Sequence, residues 1–89
     1  MAEIRKKYIF HGRVQGVGFR FTACRYAQSL RLSGWVKNEW DGTVSMEVQG
    51  AEDRIDKLLI YLNQSRYIGI EWMDSEEIPL ETGFGFHMR

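Results

Sequence analysis

Two stretches with helical periodicity lie among period-two runs, and an Asp-Gly turn joins the second and third of those runs. Together these predict an α+β chain. The order is β-α-β-β-α-β with a short C-terminal strand, the ferredoxin-like sandwich in which an antiparallel sheet carries two helices on one face. In the first run, residues 4–11, Ile4, Tyr8 and Phe10 fall on one side and Arg5, Lys7 and His11 on the other, while Lys6 interrupts the apolar side. From 19 to 30 the period lengthens, and Phe19, Ala23, Tyr26, Ala27 and Leu30 recur on one helical face. Residues 34–38 and 43–49 read as strands around Asp41-Gly42, with Val44, Met46 and Val48 opposite Ser45, Glu47 and Gln49. Gly50 ends the second of them. Ile55, Leu58, Leu59 and Leu62 define another helix, whose positive end suits Glu52 and Asp53. Ile68, Ile70 and Trp72 alternate as a fourth strand, Pro79 falls in the following loop, and Phe84, Phe86 and Met88 alternate as a closing strand. No repeat, linker or low-complexity segment interrupts residues 1–89, so a single domain is expected.

With 44% hydrophobic and 13% aromatic residues, a core can form without a metal or a disulfide. The single cysteine, Cys24, cannot pair internally, which favours a reducing compartment. No apolar run approaches a membrane span, and no apolar signal segment follows the charges near the N-terminus. A soluble cytoplasmic protein is therefore expected, and separately a monomer. Formal net charge is zero, yet residues 1–37 carry Arg5, Lys6, Lys7, Arg13, Arg20, Arg25, Arg31 and Lys37 against Glu3 alone. Such asymmetry fits a nucleic-acid surface or a small anionic ligand equally well, beside the plain reading of solvated faces.

The basic half also holds Gly12-Arg-Val-Gln-Gly-Val-Gly-Phe-Arg20, three glycines within seven positions between a strand and a helix. Glycine admits positive φ and lets backbone N–H groups turn toward a ligand. The following helix adds its N-terminal N–H groups and positive dipole end. Arg20 can supply a planar fork of donors for phosphate or carboxylate. The Lys-Ser/Thr pair of a Walker loop is missing, and the stretch is no dinucleotide fingerprint. Farther on, Asn38 ends the strand before the hairpin turn. Its amide offers both donor and acceptor, although an Asn beside a turn more often bonds the turn backbone. In a right-handed β-α-β unit Arg20 and Asn38 can share one pocket.

These two stretches, Gly12 to Arg20 and Gly34-Trp-Val-Lys-Asn38-Glu-Trp-Asp41-Gly42-Thr-Val44, together with the interval between them, resemble the acylphosphatase family. Chain length and element order agree from about Ile4 onward. The resemblance implies metal-independent hydrolysis of the carboxyl-phosphate bond of small acyl phosphates, with no cofactor. It makes Arg20 the phosphate-binding arginine and Asn38 the residue orienting the attacking water. The backbone N–H groups of Gln15, Gly16, Val17, Gly18 and Phe19 would line the phosphate loop. Departures are local: Arg31 stands where many members carry glycine, in a position suited to a left-handed cap, and residues 64–69 lack a common Gly-Pro.

Other reactive residues have plainer readings. Cys24 sits within the helix without an evident base and reads as a small buried hydrophobe. His11 precedes the loop but alternation turns it away from the helices, and His87 lies near the end. Trp35 follows the strand pattern, and most of Trp35, Trp40 and Trp72 are expected in the core or a pocket wall rather than as a nucleic-acid platform. Two distant histidines and one cysteine make no metal site. An RNA-binding module on the same fold would need aromatic strands with a basic flank, which Gly83-Phe-Gly-Phe86 echoes only faintly. A phosphate-binding module without turnover, or one serving a larger carbamoyl-transfer machine, is the remaining alternative. Retention of both Arg20 and Asn38 favours the enzyme.

Overall fold

The structure, a computed structural model, describes residues 2–89, so position 1 of the expected unit lies outside the described residues. The elements are β1 (Glu3–Arg13), α1 (Phe19–Ser29), β2 (Ser33–Asn38), β3 (Val44–Ala51), α2 (Glu52–Gln64), β4 (Gly69–Ile78) and β5 (Phe86–Met88). They build one sheet in the order β4-β1-β3-β2-β5. The first four strands pair antiparallel as expected, and β5 is added parallel to β2 through Gly34–Phe86 and Val36–Met88. Tyr8, Phe10, Val36, Val44, Met46 and Val48 from the strands form one core with Phe19, Ala23 and Ala27 of α1 and Ile55, Leu58 and Leu62 of α2. Both helices therefore cover the same face of the sheet, giving the ferredoxin-like sandwich. No helix among the described residues is long and apolar enough to cross a membrane.

This topology fixes where a site can form. β1 and β2 both run antiparallel to β3, so they are parallel to each other, and β5 is parallel to β2. The loop leaving β1, the last residue of β2 and the end of β5 thus gather at one edge of the sheet. Register sharpens the point: Phe10 pairs with Val44, and Val44 with Asn38. Directly opposed residues on neighbouring strands share a face. Because Phe10 and Val44 are fully buried under the helices, Asn38 belongs to the helix side.

The opposite face holds two departures from simple alternation. A β-bulge shifts the β1–β4 register between His11 and Gly12, leaving Glu71 as the extra residue. Ile70 packs against the core, whereas Trp72 moves to the other face and stacks on His11 with ring centroids 4.4 Å apart. The expected run Ile68-Ile70-Trp72 on one side is therefore broken. Gly12 makes the bulge possible: at φ 122°, a Cβ there would lie 2.4 Å from the Gly69 carbonyl oxygen.

The second departure is Arg5, assigned by alternation to the outer face and yet buried. Residues around Glu81 cross that face and are tied to Gln49 by two hydrogen bonds. The Glu81 N–H donates to Oε1 and Gln49 Nε2 donates to the Glu81 carbonyl, each at 2.9 Å. Beneath them Arg5 Nη2 meets Glu47 Oε1 at 3.0 Å, and Nη1 donates to Gln49 Oε1.

The tryptophans depart from expectation as well. Trp40 is fully exposed on the turn and Trp72 is exposed, while Trp35 is half-buried beneath the Arg89 guanidinium, 4.7 Å from its ring centre. Phe84 stands in solvent before β5, so only Phe86 of the closing apolar residues enters the core. Arg31 does take the left-handed conformation, at φ 57°, the one non-glycine among the described residues to do so.

Candidate active site

At the edge shared by β1, β2 and β5, a cavity of about 160 Å³ is lined by Val14, Gly16, Gly18, Phe19, Arg20, Phe21, Asn38 and Met88. Val14, fully buried, anchors the loop that leaves β1. Gly16 and Gly18 then adopt φ 71° and 80°, the left-handed region that glycine enters without strain. A Cβ at either position would meet nothing within 4 Å. The loop surface therefore lies open to close approach by a ligand.

Gly18 is also the residue on which α1 begins. Its carbonyl accepts the first helical hydrogen bond, from Thr22 N–H at 2.9 Å. The preceding N–H groups of the first turn have no acceptor within the helix. No side chain caps this end and no acid stands in the first turn, in contrast to α2, which carries Glu52 and Asp53 there. An anion is the natural complement of such a terminus.

Arg20, in that first turn, lines the cavity. Its Nη1 donates to the main-chain oxygen of Arg89 at 3.0 Å. Arg89 is itself held to β2, its N–H donating to the Val36 carbonyl at 2.8 Å. One donor of the guanidinium is thus used for orientation and the rest remain for a ligand. Asn38 lines the same cavity as Arg20, and its side-chain amide has no hydrogen-bond partner among the described residues. Two residues 18 positions apart in sequence line one cavity because β1 and β2 run parallel, Phe10 and Asn38 both pairing with Val44.

A protein-family model described as Acylphosphatase matches residues 6–88. The chain belongs to the acylphosphatase family. Among its relatives, the acylphosphatase of Chlorobaculum tepidum is 49% identical over 84 residues, covering 92% of this chain and 90% of its own. Two solved acylphosphatases share the fold closely. That of Bacillus subtilis has a TM-score of 0.90 at 31% identity, covering 97% of this chain and 98% of its own. That of Coxiella burnetii has a TM-score of 0.89 at 33% identity, covering 98% and 93%.

Within this acylphosphatase, the remaining sequence candidates divide clearly. Gly16, Gly18 and Phe19 line the cavity with Arg20 and Asn38, whereas Val17 packs against the core. Gln15 turns its side chain to the neighbouring hairpin, a contact that no sequence signal announced. His11 lies on the sheet face opposite Asn38, with Nε2 2.8 Å from Asp74 Oδ2, and does not line the cavity. Cys24 is buried one turn beyond Arg20. Burial pushes its thiol pKa up, and the nearby Arg20 charge only partly opposes this, so it stays a protonated thiol at neutral pH. No group of three or more His, Cys, Asp or Glu side chains among the described residues is placed to hold a metal. Phe21 and Met88, both exposed, supply the apolar rim of the cavity.

Proposed function

We propose that this acylphosphatase cleaves the carboxyl-phosphate bond of small acyl phosphates by direct attack of water, without metal or other cofactor. The observation that carries the proposal is the convergence of Arg20 and Asn38 on one cavity floored by Gly16 and Gly18 at a helix N-terminus. In this reading the backbone N–H groups of Gln15, Gly16, Val17, Gly18 and Phe19, with the Arg20 fork, hold the phosphoryl oxygens. A transferring phosphoryl group spreads charge over those oxygens, so fixed donors and positive charge are its main requirement. The Asn38 amide accepts from and donates to the attacking water, setting it in line with the leaving oxygen.

As the water oxygen bonds to phosphorus, the phosphorus–acyl oxygen bond breaks. The acyl group departs as a carboxylate with the electron pair. That leaving group is weakly basic and needs no general acid. The water proton passes to a phosphoryl oxygen, which accords with a cavity lining whose single ionisable side chain is Arg20. The proposal treats residues 1–89 as one domain acting as a cytoplasmic monomer on a small molecule.

The test is hydrolysis of benzoyl phosphate in the presence of EDTA by the wild type, Arg20→Gln and Asn38→Ala. Loss of one such stabilising contact costs about 3–4 kcal/mol, so each variant should lose at least about a hundredfold in kcat. Arg20→Lys should also fail, because a point charge cannot reproduce the bidentate fork. A folded wild type without turnover would replace the enzyme with a phosphate-binding module.

A further inference from the structure

The Gln15 side chain makes no contact with the cavity and yet carries two hydrogen bonds. Its Nε2 donates to the carbonyl of Glu39 and, at 2.8 Å, to that of Thr43. A carboxamide nitrogen has two N–H groups, and both are used. The acceptors are the same two carbonyls that close the β2–β3 turn, where Glu39 N–H donates to Thr43 at 2.9 Å and Gly42 N–H donates to Glu39 at 3.2 Å. Each carbonyl oxygen has a second lone pair, and Gln15 fills both from outside the turn.

We propose that the Gln15 side chain is a positioning residue that holds Asn38 in register with the phosphate loop. The inference rests on the roles given above to Arg20 and Asn38. The hairpin does not need Gln15 for its own shape. Asp41 Oδ1 accepts from the Thr43 N–H and hydroxyl at 3.0 and 2.7 Å, and Ser45 Oγ donates to the Glu39 carboxylate. What Gln15 adds is a direct tie between the phosphate loop, which has left the sheet after Arg13, and the turn that begins beyond the last β2–β3 pair, Asn38–Val44. Asn38 directly precedes Glu39, so its Cα is about 3.8 Å from the braced residue. With no side-chain hydrogen bond of its own among the described residues, Asn38 takes its position from the backbone that Gln15 clamps. The Arg20 side of the site is anchored separately, through Arg89.

The brace therefore bears on the water and not on the phosphate. Without it, Asn38 shifts relative to the loop, and a displacement of about 1 Å at a reacting group costs on the order of a hundredfold in rate. Phosphate affinity depends on the loop and Arg20 and should persist.

Two variants test this in the full chain, with benzoyl phosphate turnover and competitive inhibition by inorganic phosphate as paired readouts. Gln15→Met keeps length and removes both donors. It should lower kcat by about tenfold to a hundredfold and leave the phosphate inhibition constant nearly unchanged. Gln15→Glu sets a carboxylate against two carbonyl oxygens on the hairpin that carries Glu39 and Asp41, which disfavours the ionised form. Arg13, Arg20 and His11 oppose that shift. Protonation restores one O–H donor, so kcat relative to wild type should rise as pH is lowered from 8 to 5. An undiminished kcat in Gln15→Met overturns the inference. So does parallel loss of kcat and phosphate binding, a flat Gln15→Glu ratio, or loss of folded structure in Gln15→Met by circular dichroism, each of which makes the side chain merely structural. A wild type without turnover overturns the underlying reading, whereas full turnover in Gln15→Met overturns the brace alone.

Discussion

Replacing Arg5 with Met should destabilise the protein severely and leave its chemistry intact. Arg5 is 5% exposed, and its ion-pair partner Glu47 has a side chain only 16% exposed. Removing the cation leaves a carboxylate in a site that water scarcely reaches, at a cost of about 3–5 kcal/mol. Glu81 contributes little to this sum, because its contact is 3.6 Å long and its side chain is 62% exposed. In a domain of this size each kcal/mol moves Tm by about 4–8 °C, so a fall of about 12–40 °C is expected. The double variant Arg5→Met/Glu47→Leu removes both charges and fills the space, and should recover most of the loss. Urea unfolding followed by tryptophan fluorescence gives both values. Arg5 and Arg13 lie eight positions apart along β1, about 26 Å at strand rise, so kcat should not change at a temperature where both proteins are folded. A single variant losing less than about 1 kcal/mol, or a double variant weaker than the single, would refute the reasoning about buried pairs.

Two further outcomes follow from the buried titratable groups. Burial, with Asp56 and Glu52 nearby, pushes the Tyr8 phenol up to about 12. The folded state keeps a proton that the unfolded chain gives up near 10, so this contribution is complete below pH 10 and is lost as pH rises through about 12. Two pKa units correspond to about 3 kcal/mol, and Tyr8→Phe should flatten the fall in stability over that window in urea titrations at stepped pH. Cys24, its thiol pKa raised by burial, should react slowly with a disulfide reagent at pH 7.5 and rapidly only after unfolding in urea. Cys24→Ala should retain kcat, and a large loss in the folded variant would return Cys24 to the mechanism.

Much of this architecture can be read from residue pattern because the helix-side face obeys one rule. Phe10, Val44, Met46 and Val48 are apolar, alternate, and are all fully buried. Arg20 and Asn38 were legible because strand direction alone brings their backbones to one edge. The other face was not legible. Its cover around Glu81 is irregular chain with no periodicity, so nothing in the pattern of β1 distinguishes buried Arg5 from half-buried Lys6 and Lys7. The bulge opposite Gly12 was equally hidden, because a single inserted residue inverts every later side chain without changing the alternation itself. Trp40 illustrates a third limit: its size suggested packing, but it lies at a hairpin turn where nothing faces it. Gln15 was legible only as a backbone donor of the loop, because a side chain bonding to carbonyls 24 and 28 residues away leaves no local trace.

The bare start of α1 ties binding to folding. A Ser, Thr or Asp in the Gly18 position would be strained at φ 80° and would cap the helix better than glycine by only about a few tenths of a kcal/mol, and its side chain would occupy the N–H groups that an anion needs. With Gly18 there instead, no side chain caps α1, and the phosphate of the proposed reaction would complete its first turn. Ligand bound only to the folded chain adds RT ln(1 + [L]/Kd), about 2.7 kcal/mol at a hundredfold excess over Kd. Inorganic phosphate, a product of the proposed reaction, would then serve between turnovers as a removable part of the fold, and the protein's lifetime in a cell would rise and fall with the phosphate around it.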